Sequence, residues 1–395
     1  MKRTLVISKF ENKIWSALFE DEKIAELSCT QMRGKSAVSL GDIYVGKVKN
    51  IVNNIQGAFI EIGEQMECYY AIDENPAPIF THKIGKKPLC IGDELLVQIS
   101  KEATKTKVPT VSSKLNFTGK YAVLTTGDTR IGVSNKIAKA DREHLLEIAT
   151  PFATKEYGII IRTNAKEVEE SLLVDEIKRL ISEYECLIQS AKTRLPFTCL
   201  KRAEKQYLTK LMDIYQNGLM EIVVEDEDVY DEVYRFLQKN HPEDLSSLRL
   251  YQDPTLPLYK LYSLEKHIEQ AQNERVWLKS GGYLVIQPTE ALTVVDVNTG
   301  KCVSKKKDDL ASLKMNLEAA KEVARQIRLR NLSGIILVDF INLDHEENMQ
   351  KLLDFLNREL KKDPIATTLV DVTKLQLVEI TRKKVRKPLH EAIRE

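Results

Sequence analysis

Two acids lie in runs that otherwise read as β-strand. Asp296 interrupts LTVVDVN at 292–298, and Asp339 interrupts IILVDFI at 335–341. β-Branched and apolar residues dominate both runs, as they do YLVIQ at 283–287, which a Pro288-Thr-Glu turn joins to the first. Alternation along a strand puts Asn298 on the same side as Asp296. An ionised carboxylate in such a run is costly without compensation. Two of them, brought together, imply a cation between them. Ligands that are all oxygen favour a hard ion, and magnesium characteristically takes one or two carboxylates and keeps several waters. That leaves places for a phosphate oxygen and an attacking water. The plainer reading is that each Asp caps a neighbouring element or accepts bonds at a strand end. The residues alone leave both readings open.

The elements around the acids are those that would bring them together. From Asp308 to Arg330, Leu310, Leu313, Leu317, Ala320, Ala324 and Ile327 recur at steps of three and four, the period of an amphipathic helix. Ser333-Gly334 ends it, with Gly334 expected to take the left-handed conformation of a helix exit. Strand, helix and strand then make one unit with an acid on each strand. Beyond it a helix is expected over Glu346–Lys361 and a strand over Ala366–Val372. A basic run follows at Arg382, Lys383, Lys384, Arg386 and Lys387, either a solvated face or a holder of phosphates.

Longer stretches carry a resemblance. EALTVVDVNTGK (290–301), NLEAAKEVARQIRLRNLSGIILVDFINL (316–343) and LVEITRKKVRKPL (377–389) resemble the catalytic core of the ribonuclease E/G family, and the likeness extends thinly over nearly the whole chain. The resemblance implies that Asp296 and Asp339 are the magnesium ligands. It also implies that Asn298 is the third catalytic position, orienting Asp296 or the scissile phosphate.

Composition bounds the rest. At 395 residues several modules are expected. A net charge of +1 does not mark a general nucleic-acid binder, so any basic surface must be local. The six cysteines, 29, 68, 90, 186, 199 and 302, include no CxxC, which suits a reduced, cytoplasmic protein. MKRTLVISKFENK is too short in apolar residues for a signal peptide, and no stretch is long and apolar enough to span a bilayer. A soluble protein is expected.

Taken in order, TLVIS, KIWSALFE and KIAELSCTQ read as three strands separated by FEN and EDE turns. The stretch from Leu208 to Glu274 is their candidate partner, mixed strand and helix, with YDEVYRFLQKN and KLYSLEKHIEQAQNERVWL read as helical. Gly41 to about Ser113 reads as a small OB-type β-barrel with a turn at Asn53-Asn54, a fold that often binds single strands. Phe59 and Tyr69 are candidates to stack on bases and Lys107 to meet phosphates, although an aromatic on a barrel strand is as readily a core residue. From Gly119, GKYAVLTT and YGIIIRTNA read as strands, and a helix is expected over Lys166–Ser190. Arg162-Thr163 then precedes that helix, where free N–H groups favour phosphate. A helix cap with a surface charge is the plainer alternative.

The resemblance gives these pieces names. It implies a multidomain α+β chain. Residues 1–38 and 208–278 form one ribonuclease-H-like subdomain, 39–118 an inserted S1-type RNA-binding barrel and 119–207 a 5′-sensor region. Residues 279–395 form a DNase-I-like catalytic subdomain. Tyr69 and Lys107 match RNA-contact positions, Tyr replacing the usual Phe. Gly119, Val123, Arg162 and Thr163 match the pocket for a 5′-monophosphate, and Asn135 stands where the family usually has Arg. Members commonly continue into a CPxC-like zinc link between subunits and a small dimerisation domain. The sequence has neither, so zinc is not expected and homo-oligomerisation is left without those parts.

The expectation is a magnesium-dependent endoribonuclease that cuts single-stranded RNA to 5′-phosphate and 3′-hydroxyl ends, in rRNA and tRNA processing and mRNA decay. The alternative is a non-catalytic RNA-binding or ribosome-assembly protein that uses the barrel. A phosphohydrolase of small nucleotides is a third, weaker option, since a mononucleotide needs no strand-holding groove.

Overall fold

The chain opens with an antiparallel meander, β1 (Arg3–Phe10), β2 (Lys13–Glu20) and β3 (Lys23–Gln31). Both turns take positive φ at two successive residues, 50° and 58° at Glu11-Asn12 and 45° and 68° at Asp21-Glu22. That is the hairpin geometry whose twist matches the flanking strands. The computed structural model describes residues 2–31, 38–103, 107–213, 219–300 and 309–394. It divides into two units: Met1–Met32 with Gln206–Lys210 and Asn217–Glu395, and Arg33–Lys205 with Leu211–Gln216.

In the second unit come β4 (Ile43–Val52), β5 (Gly57–Glu61), β6 (Glu67–Ala71), β7 (Phe80–His82), β8 (Glu94–Lys101) and β9 (Thr110–Ser112). Pairing runs β4–β5–β6–β9–β8 and back to β4, so five strands close into an OB-like barrel. Ala58, Ile60, Cys68, Tyr70, Val97, Ile99 and Val111 fill it. The Asn53-Asn54 turn is present as one 3₁₀ turn.

Next are β10 (Asn116–Thr118), β11 (Ala122–Thr125), β12 (Ile131–Val133), α1 (Lys139–Ala149), β13 (Gly158–Ile161), α2 (Glu170–Ala191) and β14 (Cys199–Lys201). The first three strands and β13 form a sheet in the order β10-β11-β13-β12. Onto it α2 packs Leu173, Ile177, Leu180 and Leu187. The helix starts at Glu170, not at Lys166. Residues Thr163–Ala165 instead form a separate 3₁₀ turn, closed by Lys166 N–H donating to Thr163 O at 3.2 Å.

Residues of both units make up α3 (Gln206–Asp213), and the first unit continues with β15 (Leu219–Val224), α4 (Glu227–Asn240), β16 (Leu248–Leu250), α5 (Leu258–Leu261) and α6 (Leu264–Gln272). β15 lies parallel to β1 and β16 parallel to β15, so two distant pieces share one sheet, β16-β15-β1-β2-β3. The helix expected through Leu278 ends at Gln272; Arg275–Trp277 is a strand, because Val and Trp there suit an edge against the next hairpin.

That strand is β17, followed by β18 (Tyr283–Pro288), β19 (Leu292–Asn298), α7 (Asp309–Leu329), β20 (Gly334–Asp339), α8 (Glu346–Leu360), β21 (Thr367–Val372), β22 (Val378–Arg382) and α9 (Leu389–Arg394). The sheet order is β17-β18-β19-β20-β22-β21, with β19 and β20 parallel. Leu284, Ile286, Val295, Val297, Ile336 and Val338 pack one face against Ala319, Ala320, Val323, Leu352 and Leu356 of α7 and α8. Of the residues expected on the apolar face of α7, Leu310 departs, at 67% exposed. Asp308 lies outside the described residues. The helix exit is Asn331 (φ 49°), with Leu332 N–H returning to Ile327 O at 3.0 Å; Gly334 (φ 85°) opens β20 instead. No helix among the described residues is long and apolar enough to cross a membrane.

Candidate catalytic site

Parallel pairing of β19 with β20 sets Asp296 directly beside Asp339, the last registered pair of the two strands. Directly paired residues project from the same face, so the two carboxylates share the outer face of the sheet. Asn298, two residues on, donates from Nδ2 to Asp296 Oδ2 at 2.7 Å and fixes that carboxylate. The three residues expected to act together are thus adjacent. Their burial differs from expectation: Asp296 is half-buried and Asp339 exposed, since β20 ends at Asp339 and its last side chain faces outward. Desolvation therefore does not drive the pairing; backbone register does. Among the described residues no group of three His, Cys, Asp or Glu stands close enough to hold an ion. Two adjacent oxygen ligands fit a hard cation that keeps much of its water, and fit poorly a metal that needs a closed protein cage.

Residues not singled out from the sequence hold this pair. Asn316, on α7 and fully buried, donates from Nδ2 to Ile341 O at 2.7 Å and accepts Ile341 N–H at 3.0 Å. It thereby anchors the chain two residues beyond Asp339. A polar residue on the apolar face of an amphipathic helix was the available signal. Glu318 accepts Lys279 N–H at 2.6 Å, securing the turn before β18. At the hairpin end a Cβ on Gly300 (φ 60°) would lie 2.3 Å from Gly281 O, so only glycine lets the strand carrying Asn298 close against that turn. Asp309, at the start of α7, accepts Asp344 N–H at 2.8 Å and a bond from Asn348 Nδ2. The Asn348 bond, with the Asp344 N–H, holds its carboxyl below the usual range.

The basic run divides. Arg382 is buried, bound by Nε to Asp363 Oδ2 at 2.7 Å and by Nη1 to Asn331 Oδ1 and Leu332 O. Its position on β22 alternates inward with Val378 and Ile380, so it braces the helix exit and is no phosphate holder. Arg386 donates to Thr209 Oγ1 at 2.6 Å. Lys383 and Lys384 are exposed.

On the barrel, Phe59 and Tyr69 are a registered pair on β5 and β6, their rings 6.2 Å apart and edge to face. Both are half-buried between fully buried neighbours, so they project from the outer surface, and the core reading of Phe59 does not hold. Tyr69 N–H donates to Pro109 O at 2.8 Å, which brings the loop of exposed Lys107 to the same strand. Phe59 and Tyr69 share one surface, and Lys107 lies two residues before Pro109, which is bonded to Tyr69.

Around β11 and β13, Arg162 Nη1 donates to Gly119 O at 2.7 Å and to Met212 O at 3.4 Å. Thr163 Oγ1 and Ser134 Oγ share a bond at 3.0 Å. Val123 pairs in register with Ile160, two residues from Arg162. All four predicted residues therefore lie in one neighbourhood. The long helix does not contribute its N-terminus, because a short 3₁₀ turn intervenes. Two residues were missed. Arg142 of α1 donates to Asn135 Oδ1, bringing a guanidinium to the position where sequence reading found no charge. Buried Glu176 of α2 accepts the N–H groups of Lys120, Tyr121 and Ala122 at 3.0, 2.7 and 2.8 Å. It clamps the turn next to Gly119, where a Cβ would meet its carboxylate at 2.3 Å.

The geometry agrees with comparison to known proteins. The model of the ribonuclease E/G family matches residues 116–385, a span that holds the acid pair and the Arg162 neighbourhood. Ribonuclease E of a Synechocystis species is 31% identical over 399 residues, covering 99% of this chain and 58% of that protein. Ribonuclease G of Salmonella typhimurium is 32% identical over 90% of this chain and 74% of its own length. Ribonuclease G of Haemophilus influenzae is 29% identical over 98% of this chain and 81% of its own. An acid pair set by strand register, inside a match that covers most of the chain, leads to one assignment: the chain belongs to the ribonuclease E/G family.

Proposed function

We propose that the chain is a magnesium-dependent endoribonuclease acting on single-stranded RNA. The observation that carries this reading is the registered pair Asp296–Asp339 with Asn298 bonded to Asp296, within a chain of this family. Asp296 and Asp339 would hold the ion. Bound there, magnesium supplies Lewis-acid polarisation of a phosphate and a more acidic water. Asn298 keeps Asp296 in one rotamer, so the carboxylates meet the phosphate already arranged. Water attacks phosphorus in line with the 3′ oxygen. The P–O3′ bond breaks, the 3′ oxygen takes a proton, and 5′-phosphate and 3′-hydroxyl ends result.

In this reading the closed barrel is an S1-type domain that holds the strand through Phe59, Tyr69 and Lys107. Residues Gly119, Val123, Arg162 and Thr163 form a sensor for a 5′-monophosphate. The five-stranded sheet of residues 1–38 and 208–278 is ribonuclease-H-like and structural, and residues 279–395 are DNase-I-like. Residues 39–118 and 119–207 form the barrel and sensor regions between them. The cellular work would be rRNA and tRNA processing and mRNA decay in the cytoplasm. The test is cleavage of a short labelled RNA in Mg²⁺ and in EDTA with both product ends mapped. Cutting in EDTA, or 3′-phosphate ends, overturns the mechanism.

A further inference from the structure

The outer face that carries the acids continues into an aromatic surface. Trp277 of β17 is registered with Tyr283 of β18, and Tyr283 with Asn298 of β19. One pair along, Arg275, Val285, Asp296 and Asp339 are registered across four strands. Paired residues share a face, so these are two adjacent rows on one side of the sheet. The intervening residues Val276, Leu284 and Val297 pack on the opposite side with α7 and α8. Trp277 is 64% exposed. Its ring centroid lies 5.2 Å from that of Tyr283, and the Arg275 guanidinium lies 4.4 Å from the Tyr283 ring and 5.8 Å from that of Trp277.

An exposed Trp277 ring beside a half-buried Tyr283 ring, with a guanidinium against both, offers planar π-surface and positive charge together. A singly exposed apolar residue is ordinary on a protein surface, but here the ring sits with a second aromatic and a cation on the face that carries the acids. The chemistry matches a nucleobase, since every base has a π-face and stacks on aromatic rings without regard to sequence. Arg275 adds a cation to the stack. Strands stand about 4.8 Å apart, so Trp277 lies roughly 10 Å from the strand of Asp296, within reach of a nucleotide next to the one being cut.

We propose that Trp277 and Tyr283, capped by Arg275, form a stacking platform for an RNA base flanking the scissile phosphate. This rests on the nuclease reading of the acid pair, and it makes Trp277 a positioning residue of the same site.

The chain has two tryptophans, and Trp15 is buried at 1% exposure. RNA-induced change in indole emission therefore reports on Trp277. Non-cleaving Asp296→Asn protein, titrated in Mg²⁺ with a short unlabelled single-stranded RNA, should show quenching that vanishes when Trp277→Phe is added. On cleavage-competent protein, Trp277→Ala should raise KM about tenfold, the order expected for loss of one stacked base. Trp277→Phe, which keeps a ring, should stay within about threefold of wild type. Unchanged emission at saturating RNA, or wild-type kcat/KM in Trp277→Ala, overturns the platform. If wild type fails to cut while quenching persists, Trp277 still stacks on RNA, but the nuclease reading falls and the place beside a scissile phosphate falls with it.

Discussion

The acid pair and the Arg162 neighbourhood are both polar sites, yet they are built oppositely. At the acid pair the described residues leave oxygen atoms open: Asn298 takes one oxygen of Asp296, and Asp339 ends its strand exposed. At Arg162 the protein already satisfies what it presents: the guanidinium bonds two backbone carbonyls and Thr163 shares a bond with Ser134. A ligand at the first site adds interactions. A ligand at the second must improve on bonds already made, so its net gain is smaller. The difference predicts a large dependence on the acids and a modest one on the arginine.

The contrast is broken first at the acids. Asp296→Asn or Asp339→Asn should lower single-turnover cleavage by about a thousandfold or more, through loss of one ligand of a shared ion. Binding of RNA measured by filter retention should stay within a few-fold. Wild-type turnover in either variant would remove the pair from the chemistry.

Support for the open site can be probed without touching it. Asn316→Ala orphans the N–H and C=O of half-buried Ile341, and should cost about 1–3 kcal/mol in urea unfolding. Cleavage should weaken as well, because Asp339 loses its anchor. An unchanged unfolding midpoint would mean the strand end is held by something else.

The barrel surface lies between the two extremes, since its rings are open but its lysine is one of several. Tyr69→Ala should weaken RNA binding about five- to a hundredfold, the range of ~1–3 kcal/mol per stacked base. Lys107→Ala should flatten the salt dependence by about one phosphate contact. If neither changes affinity across a salt series, RNA runs elsewhere.

The smallest effect is expected at the already satisfied site. Arg162→Ala should reduce a preference for 5′-monophosphate over 5′-hydroxyl RNA of about tenfold, from charge-assisted bonds of ~1.5–3 kcal/mol less those surrendered. Arg142→Ala should reduce it further if its guanidinium serves the position of Asn135. Equal rates on both ends in wild type would leave Arg162 a brace between Gly119 and Met212 and nothing more.

Local pattern was enough for much of this protein. β-Branched runs named the strands of Asp296 and Asp339, a three-four period named α7, and polar dipeptides named the hairpin turns, because each depends on residues within a few positions. Alternation likewise put Asn298 beside Asp296. Tertiary structure decided what lies across the chain. Parallel register brought Asp339 to Asp296, and strand-end exposure replaced the expected burial. Arg382 turned inward to Asp363, a pairing over 19 residues that no charge run announces. The helix expected before Leu278 gave up Arg275–Trp277 to a sheet edge, which is how Trp277 came to stand in line with Asn298. Spacing reports periodicity within an element; which elements meet, and in what register, is fixed only when their buried faces close on one another.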